Sequence, residues 1–445
     1  MNTASSPVNT PLPFWERALV YTMVAASLAF SLLPVNFSWD TYGTTSVSVE
    51  GSLMFQLQWG SLFLFSGILL LRRFDTIWFR VRELNPFLIM MVVLCFASVL
   101  WSPLPITALK KSIQLAGLTI LAIVVHDRLP HRMDWRRLVG ITMLVIMALS
   151  MVVSVLLPRI GVDPLLGNAW RGITQHKNTL GMVAAIMVLL WVSGFTRMYL
   201  PVKVRVVGLL FSLFILVMAK SSTALLTAVM GMMILIMLRK RVPRGDFLYS
   251  RVALVVSVVL VLALHAFYVT MGRLPTWEEM FSVVGALTGK SSNLTGRDVI
   301  WALVIQEIAH HPILGIGYGS FWAGPGSPSD VVTHHLEGWH NIFQAHNGYL
   351  DLINEIGFVG LGLFAGMLVH YMLTLGRLLR FDRDRALLHW TLLLFLLVSN
   401  FSESGLLRGV VAQNLLFIYL LVDASMSLAR YRRDERQTSL VAVPA

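Results

Sequence analysis

Hydrophobic residues along this chain gather into runs of bilayer-crossing length, separated by short polar segments. Runs near 17–35, 52–71, 86–101, 109–125, 138–157, 179–196, 205–219, 223–238, 252–271, 350–375, 386–400 and 410–429 predict about twelve helices, each close to the length that spans a hydrocarbon layer roughly 30 Å thick. One polar stretch, 272–349, is far longer than the rest. Within it, Thr295 or Asp298 can cap a helix start, and Val299, Ile300, Leu303, Val304 and Ile308 recur at helical spacing before Pro312. That pattern predicts an amphipathic helix lying on the membrane surface over 296–310. Beyond it, Gly315, Gly317, Gly319, Gly324, Pro325 and Gly326 mark an irregular segment able to approach a ligand closely. No internal repeat with a period of about 20–50 residues is visible.

The pattern gives an all-α polytopic membrane protein, and composition agrees. Of 445 residues, 56% are hydrophobic and only 13% charged, with a mean hydropathy of +0.72, which leaves no soluble domain of ordinary size. The formal net charge of +12 raises nucleic acid as a partner, but the basic residues fall in short clusters between apolar runs, which is the pattern of topology signals. Arg17, Arg72, Arg73, Arg80, Arg82, Arg128, Arg132, Arg136, Arg137 and their later counterparts put about 25 of the 35 lysines and arginines on one side. The positive-inside rule makes that side cytoplasmic, with both termini inside. The first run imitates a signal peptide but is read as an uncleaved helix, because removing it would spoil this alternation. The expected organisation is a cytoplasmic tail at 1–16, nine transmembrane helices over 17–271, an external loop at 272–349 carrying the amphipathic helix, three more helices over 350–429, and a cytoplasmic tail at 430–445.

Chemistry is then expected at the opposite boundary. Arg171, His176, Lys177 and Asn178 fall within a short stretch at the outer entrance of the sixth helix, giving two cations, an imidazole and an amide. Such cations suit a phosphate or pyrophosphate, and the positive end of the following helix adds to them. His346 opens the helix that re-enters the bilayer, followed by Asn347, Asp351, Asn354 and Glu355, with Asp351 and Glu355 aligned on a neighbouring stripe. A histidine titrating near about 6.5 suits a general base acting on a sugar hydroxyl; His340 is the competing candidate. Arg159, Arg273, Lys290 and Arg408 read as headgroup anchors near helix ends. The single cysteine, Cys95, permits no intrachain disulfide, and the adjacent pairs His310-His311 and His334-His335 diverge on regular structure, so neither a metal nor another cofactor is expected. A transporter or flippase would carry pseudo-repeats and buried midplane carboxylates; Asp423, toward the cytoplasmic end, is the main such residue.

Several segments, in order, resemble the O-antigen ligase and polysaccharide polymerase superfamily of bacterial envelopes, in particular its exopolysaccharide-polymerase-like branch. They are Trp101-Ser102-Pro103, Ala108 through Ser112, Gly172 through Gly181 around His176-Lys177-Asn178, Ser221-Ser222-Thr223, Leu294 through Arg297 before Trp301, and His346-Asn347-Gly348-Tyr349-Leu350 running to Gly357-Phe358-Val359-Gly360. The resemblance implies a C-type, metal-independent glycosyltransferase fold in the bacterial inner membrane, with 272–349 as a large periplasmic loop. It also implies an inverting transfer of glycan from an undecaprenyl-pyrophosphate-type donor to a glycan or lipid A-core acceptor, with a chain-length regulator and a flippase as further partners beside the membrane lipids. Carried onto this chain, His346 and Arg297 become the catalytic pair, and Arg171, Lys177, His176, Asn178 and Asn347 the residues that bind pyrophosphate and glycan. Polymerisation of repeat units into exopolysaccharide is the leading implication, and ligation to lipid A-core the alternative.

Overall fold

The computed structural model describes residues 13–35, 52–72, 80–129, 135–164, 166–197, 199–241, 297–335 and 343–441. Among them every predicted apolar run carries a helix: α1 (Phe14–Leu32), α2 (Leu53–Leu71), α3 (Pro86–Ala97), α4 (Pro105–Arg128), α5 (Trp135–Leu156), α6 (Lys177–Val192), α7 (Val202–Met218), α8 (Ser222–Arg241), α10 (Gly348–Leu378), α11 (Arg383–Ser399) and α12 (Ala412–Val441), with the loop helix α9 (Arg297–His310) between α8 and α10. The predicted run at 252–271, Arg273, Lys290 and His340 lie outside the described residues. Among the described residues, five helices are long and apolar enough to cross a membrane: α2, α4, α5, α10 and the Ala412–Thr438 part of α12. The chain is therefore largely α-helical with several membrane-spanning candidates.

Local chemistry sets the boundaries. Asn85 caps α3 through Phe87 N and is followed by Pro86 at the first helical position, where a missing N–H costs nothing. Ser52 caps α2 and Asp382 caps α11 in the same way. Helix α12 is the centre of the bundle, with 89% of its apolar stretch buried, and it packs on α4, α10 and α11. Helix α6 is buried at every position from Leu180 to Trp191, between α7, α8 and α5. A helix apolar all round is a core helix when protein surrounds it. By contrast α2 and α5 are only 33% buried, and leave Leu57, Leu64, Val145, Leu149 and Val152 on outer faces suited to lipid.

The residues that the charge census places on one side meet at one end of this bundle. Glu16 accepts from both Arg72 (3.4 Å) and Arg128 (2.7 Å), Arg80 pairs with Asp127 at 2.6 Å, Arg433 pairs with Glu83, and Arg385 pairs with Asp423 at 2.9 Å.

Four details go beyond the sequence pattern. The last helix continues to Val441, so much of the segment expected as a tail is helical. Helix α9 does form over the expected residues, but its inner face, Ile300, Trp301 and Val304, is buried in a cluster with Phe321, Trp322 and Ala345, and it packs on α10. A small antiparallel pairing, Val162–Asp163 with Ala169–Trp170, closes the turn after α5, too short to show as a pattern in sequence. Finally, the glycine segment approaches neighbouring helices: a Cβ on Gly315 would lie 2.4 Å from the Glu355 backbone carbon, and one on Gly319 2.4 Å from Lys111 Cγ. Close helix contact is thus a sufficient reason for those glycines.

Candidate functional site

At the end of the bundle opposite the arginine pairs, four separate segments converge: the entrance of α6, the start of α8, the residues before α10, and the 400–411 connection between α11 and α12. His346 sits at their centre with φ +51°, a left-handed backbone conformation uncommon for a residue with a side chain. Its neighbours hold it there. Ala345 N donates to Asp351 Oδ1 at 3.2 Å, Gly348 N donates to Asn400 O at 2.8 Å, and Asn347 caps α10 by accepting from Tyr349 N at 3.1 Å and Leu350 N at 3.4 Å. The backbone on each side of His346 is therefore anchored, and the imidazole is aimed by the fold.

The imidazole faces Glu403. His346 Nδ1 lies 3.4 Å from Glu403 Oε2 and 3.2 Å from Gln344 Nε2, while Gln344 Nε2 also donates to Glu403 Oε2 at 3.2 Å. The other carboxylate oxygen, Oε1, accepts from Asn178 Nδ2 at 2.8 Å, and Asn178 Oδ1 accepts from Ser221 Oγ at 3.1 Å. One carboxylate thus joins the α6 entrance to the residues before α10. His346 keeps 31% of its side chain exposed, and its described contacts all engage Nδ1.

His176 caps α6, its Nδ1 accepting from Asn178 N at 3.2 Å, so the ring is neutral with its proton on Nε2. Much of the residue is exposed. Even so, partial desolvation of the ring, with Lys177 and His346 adding to it, outweighs the Glu403 and Asp163 carboxylates and lowers its pKa from the ordinary histidine value. Lys177 is the first residue of α6 and is half-buried. Arg171 is tied by Nε to Ile160 O at 2.8 Å in the turn after α5, and the Thr174 hydroxyl donates to both Arg171 O (2.7 Å) and His176 O (3.1 Å). Arg171 thus belongs to the same end of the bundle, one short turn from His176. Arg297 is the first residue of α9, one turn before Trp301, whose indole N–H donates to Ala345 O at 2.8 Å. The structure brings His346, Asn347, His176 and Asn178 together, with Lys177 and Arg171 on the adjoining segment and the start of α9 beside the residue that precedes His346.

Three participants were not picked out from sequence. Glu403 is the only carboxylate between Ser399 and Ala412, a position that could have flagged it. Gln344 gave no signal beyond nearness to His346. Arg408, expected to be a headgroup anchor, instead donates through Nη1 to Asp351 Oδ2 and Gln344 Oε1 at 3.2 and 3.3 Å, and through its second amino group to Phe343 O. Asp351 further accepts from the Trp322 indole at 2.7 Å. Glu355, on the stripe predicted with Asp351, accepts from Gly319 N at 2.9 Å. Both acidic residues therefore position backbone.

Residues 207–365 match the O-antigen ligase family, a span that holds Ser221, Arg297, His346, Asn347 and Gly357. The chain is 25% identical over 301 residues to the exopolysaccharide production protein ExoQ of Rhizobium meliloti, a match covering 64% of each chain. It is also 29% identical over 83 residues to a putative polysaccharide ligase of Rickettsia bellii (18% of this chain, 20% of the relative), and 32% identical over 77 residues to one of Rickettsia felis (17% and 19%). The matched part spans 64% of the length of the R. meliloti relative, a little under two thirds. With the ordered motifs and the residues they bring together, these matches make the chain similar to O-antigen ligases over residues 207–365 and to an exopolysaccharide production protein over a longer span.

Proposed function

We propose that this protein is a membrane glycosyltransferase that moves a glycan from a polyprenyl pyrophosphate carrier to the hydroxyl of an acceptor sugar, at the periplasmic face of a bacterial inner membrane. The observation that carries the reading is the convergence of His346 and Asn178 on Glu403, with His176 capping the same helix entrance, at the bundle end away from the arginine pairs. The acceptor hydroxyl gives its proton to His346 as its oxygen bonds to the anomeric carbon; the bond from that carbon to the pyrophosphate breaks, and the electron pair leaves on the pyrophosphate oxygen. Negative charge grows on the leaving group, so Arg171, Lys177 and Arg297, with the N-terminus of α6, favour the transition state over the ground state. Displacement of pyrophosphate by a hydroxyl activated on the far face inverts the anomeric centre. No step calls for a metal or other cofactor.

Polymerisation of lipid-linked repeat units into exopolysaccharide is the reading we favour, because the R. meliloti relative, matched over 301 residues, is named for exopolysaccharide production. Ligation to a lipid A-core acceptor is supported by the O-antigen ligase match and by the shorter stretches shared with polysaccharide ligases. The test is incubation of purified protein with a defined polyprenyl-pyrophosphate oligosaccharide, with and without an added lipid acceptor, followed by product sizing. Longer carrier-linked chains mark a polymerase, and transfer that needs the added acceptor marks a ligase. His346→Ala and Arg297→Ala should each lower transfer by about 100-fold or more, leaving a measurable residual rate; full transfer by both would end the site assignment.

A further inference from the structure

We infer that Glu403 is the positioning residue of this site: its carboxylate holds the Nδ1–H of His346, so that Nε2 is the basic nitrogen presented to the acceptor hydroxyl. The inference rests on the glycosyltransferase reading and adds to it a residue that no motif in the sequence singled out. Two amide donors and one imidazole nitrogen are described around the carboxylate. Asn178 Nδ2 reaches Oε1 at 2.8 Å, and Gln344 Nε2 and His346 Nδ1 approach Oε2 at 3.2 and 3.4 Å. Such a set suits an ionised acceptor.

Gln344 is itself oriented. Its Oε1 accepts from Ser404 N and Arg408 Nη1, both at 3.3 Å, which turns Nε2 toward Glu403 and His346. Two tautomers of His346 fit this arrangement. In one, Nδ1 accepts from Gln344 Nε2, and Nε2 carries the proton and cannot take another. In the other, Nδ1–H faces Glu403 and Nε2 holds the lone pair. A carboxylate is the stronger acceptor for an imidazole N–H, and Gln344 satisfies its own donor on the same carboxylate oxygen, so the second arrangement uses every group present. The consequence is chemical: as the acceptor proton arrives at Nε2, the positive charge on the ring is balanced by Glu403 beside Nδ1, and the acceptor oxygen is released to attack the anomeric carbon.

The anchoring makes this more than proximity. Glu403 is reached from α6 through Asn178, and Asn178 is reached from the start of α8 through Ser221. The carboxylate is thus fixed from the side on which the pyrophosphate cations stand, while His346 is fixed by its own left-handed turn. A shift of α6 would change the His346–Glu403 geometry, which couples donor-side order to the base.

The experiment is a kinetic comparison of Glu403→Gln, Glu403→Asp, His346→Ala and the double variant Glu403→Gln/His346→Ala in the purified full chain, with a defined polyprenyl-pyrophosphate oligosaccharide as donor. Glu403→Gln should lower kcat by about 100-fold or more while KM for the donor stays within about threefold. Glu403→Asp, which keeps the charge, should recover at least about a tenth of the wild-type kcat. Added to His346→Ala, the Glu403→Gln change should cost less than about a further threefold, because it acts through a ring no longer there. A kcat for Glu403→Gln within about threefold of wild type overturns the inference, as does a full multiplicative loss in the double variant. If Glu403→Gln does not fold, Glu403→Asp decides alone: a donor KM raised with kcat unchanged would mean that Glu403 organises the donor side only. A wild-type chain without glycan transfer defeats the proposed function instead, and a kcat for His346→Ala within about threefold of wild type defeats the choice of base, so the three failures are distinguishable.

Discussion

Replacing Gly357 by alanine should destabilise the protein sharply and disturb the site from a distance. Helix α10 is broken at this residue, with φ +66° and ψ −171°, a region of backbone space that is essentially glycine's alone. The break exposes backbone groups that the 312–317 segment satisfies. Phe358 N donates to Pro312 O at 2.8 Å and Val359 N to Ile313 O at 3.1 Å, while Ile316 N and Gly317 N donate to Asn354 O and Glu355 O, both at 2.9 Å. A Cβ on Gly357 would stand 2.1 Å from Ile313 O and 2.3 Å from Ile313 C, so both the dihedral and the neighbour must give way. The backbone strain costs about 1–3 kcal/mol. Losing the two hydrogen bonds to Pro312 and Ile313 adds about 0.5–1.5 kcal/mol each, for a total of about 2–6 kcal/mol. Because the displaced segment continues into Gly319, which donates to Glu355, and Ser320, whose hydroxyl meets Ser102 Oγ at 2.7 Å, glycan transfer should fall as well. The assay is thermal unfolding in mild detergent beside Gly362→Ala, where a Cβ meets nothing within 4 Å on the same helix. If both variants melt with the wild type, the account of the break is wrong.

His176→Ala should cost about 1 kcal/mol through loss of the α6 cap, and His176→Asn, which can cap, should recover most of it. Partial desolvation lowers the His176 pKa, so its contribution is complete above about 6.5 and is lost as pH falls through the lower folded-state value; in melting curves taken across that window the asparagine variant should lose less stability than wild type on acidification, and equal losses would refute the neutral-cap assignment. Arg408→Ala leaves the Asp351 carboxylate, 7% exposed, with only the Trp322 indole and Ala345 N as described donors, and should cost toward the lower end of about 3–5 kcal/mol, since Arg408 itself is 23% exposed. Asp351→Asn added to it removes the stranded charge and should restore part of the melting temperature; no recovery would show that the arginine acts by packing alone.

How much of this was legible in the chain depends on the physics of each element. Apolar runs report burial from water, whether by lipid or by protein, and every run within the described residues is helical. They do not distinguish the two kinds of burial: α6 and α12 read like α2 and α5, yet the first pair is enclosed by protein and the second pair offers lipid-suited faces. His346, His176 and Asn178 stood out because polar groups at the ends of apolar runs are few. Glu403 and Arg408 did not, because their meaning lies in partners far along the chain: Glu403 meets a residue 225 positions away and Arg408 one 57 away. Spacing rules reach three or four residues along a helix, and such pairings lie beyond them. The glycines of 315–319 were visible as glycines, but their neighbours, Glu355 and Lys111, come from other helices.

The two ends of the bundle use the same residue types for opposite purposes. At the arginine-rich end, Glu16, Asp127, Glu83 and Asp423 each face a guanidinium, and Arg128 and Glu16 are both largely buried, so charge there stitches α1, α2 and α4 together. Such pairs contribute little net stability but are costly to break singly, which suits a fixed scaffold. At the other end Arg408 and Asp351 repeat that arrangement, and the product is the rigid turn that carries His346. Glu403 differs: it is held by two amides and faces an imidazole that remains partly open to solvent. An arginine in the place of His346 would satisfy the same carboxylate but could not accept a proton at neutral pH. The imidazole gives up some of that pairing energy for a site whose charge can change during a reaction, and the saturated ion pairs around it keep the geometry constant while it does.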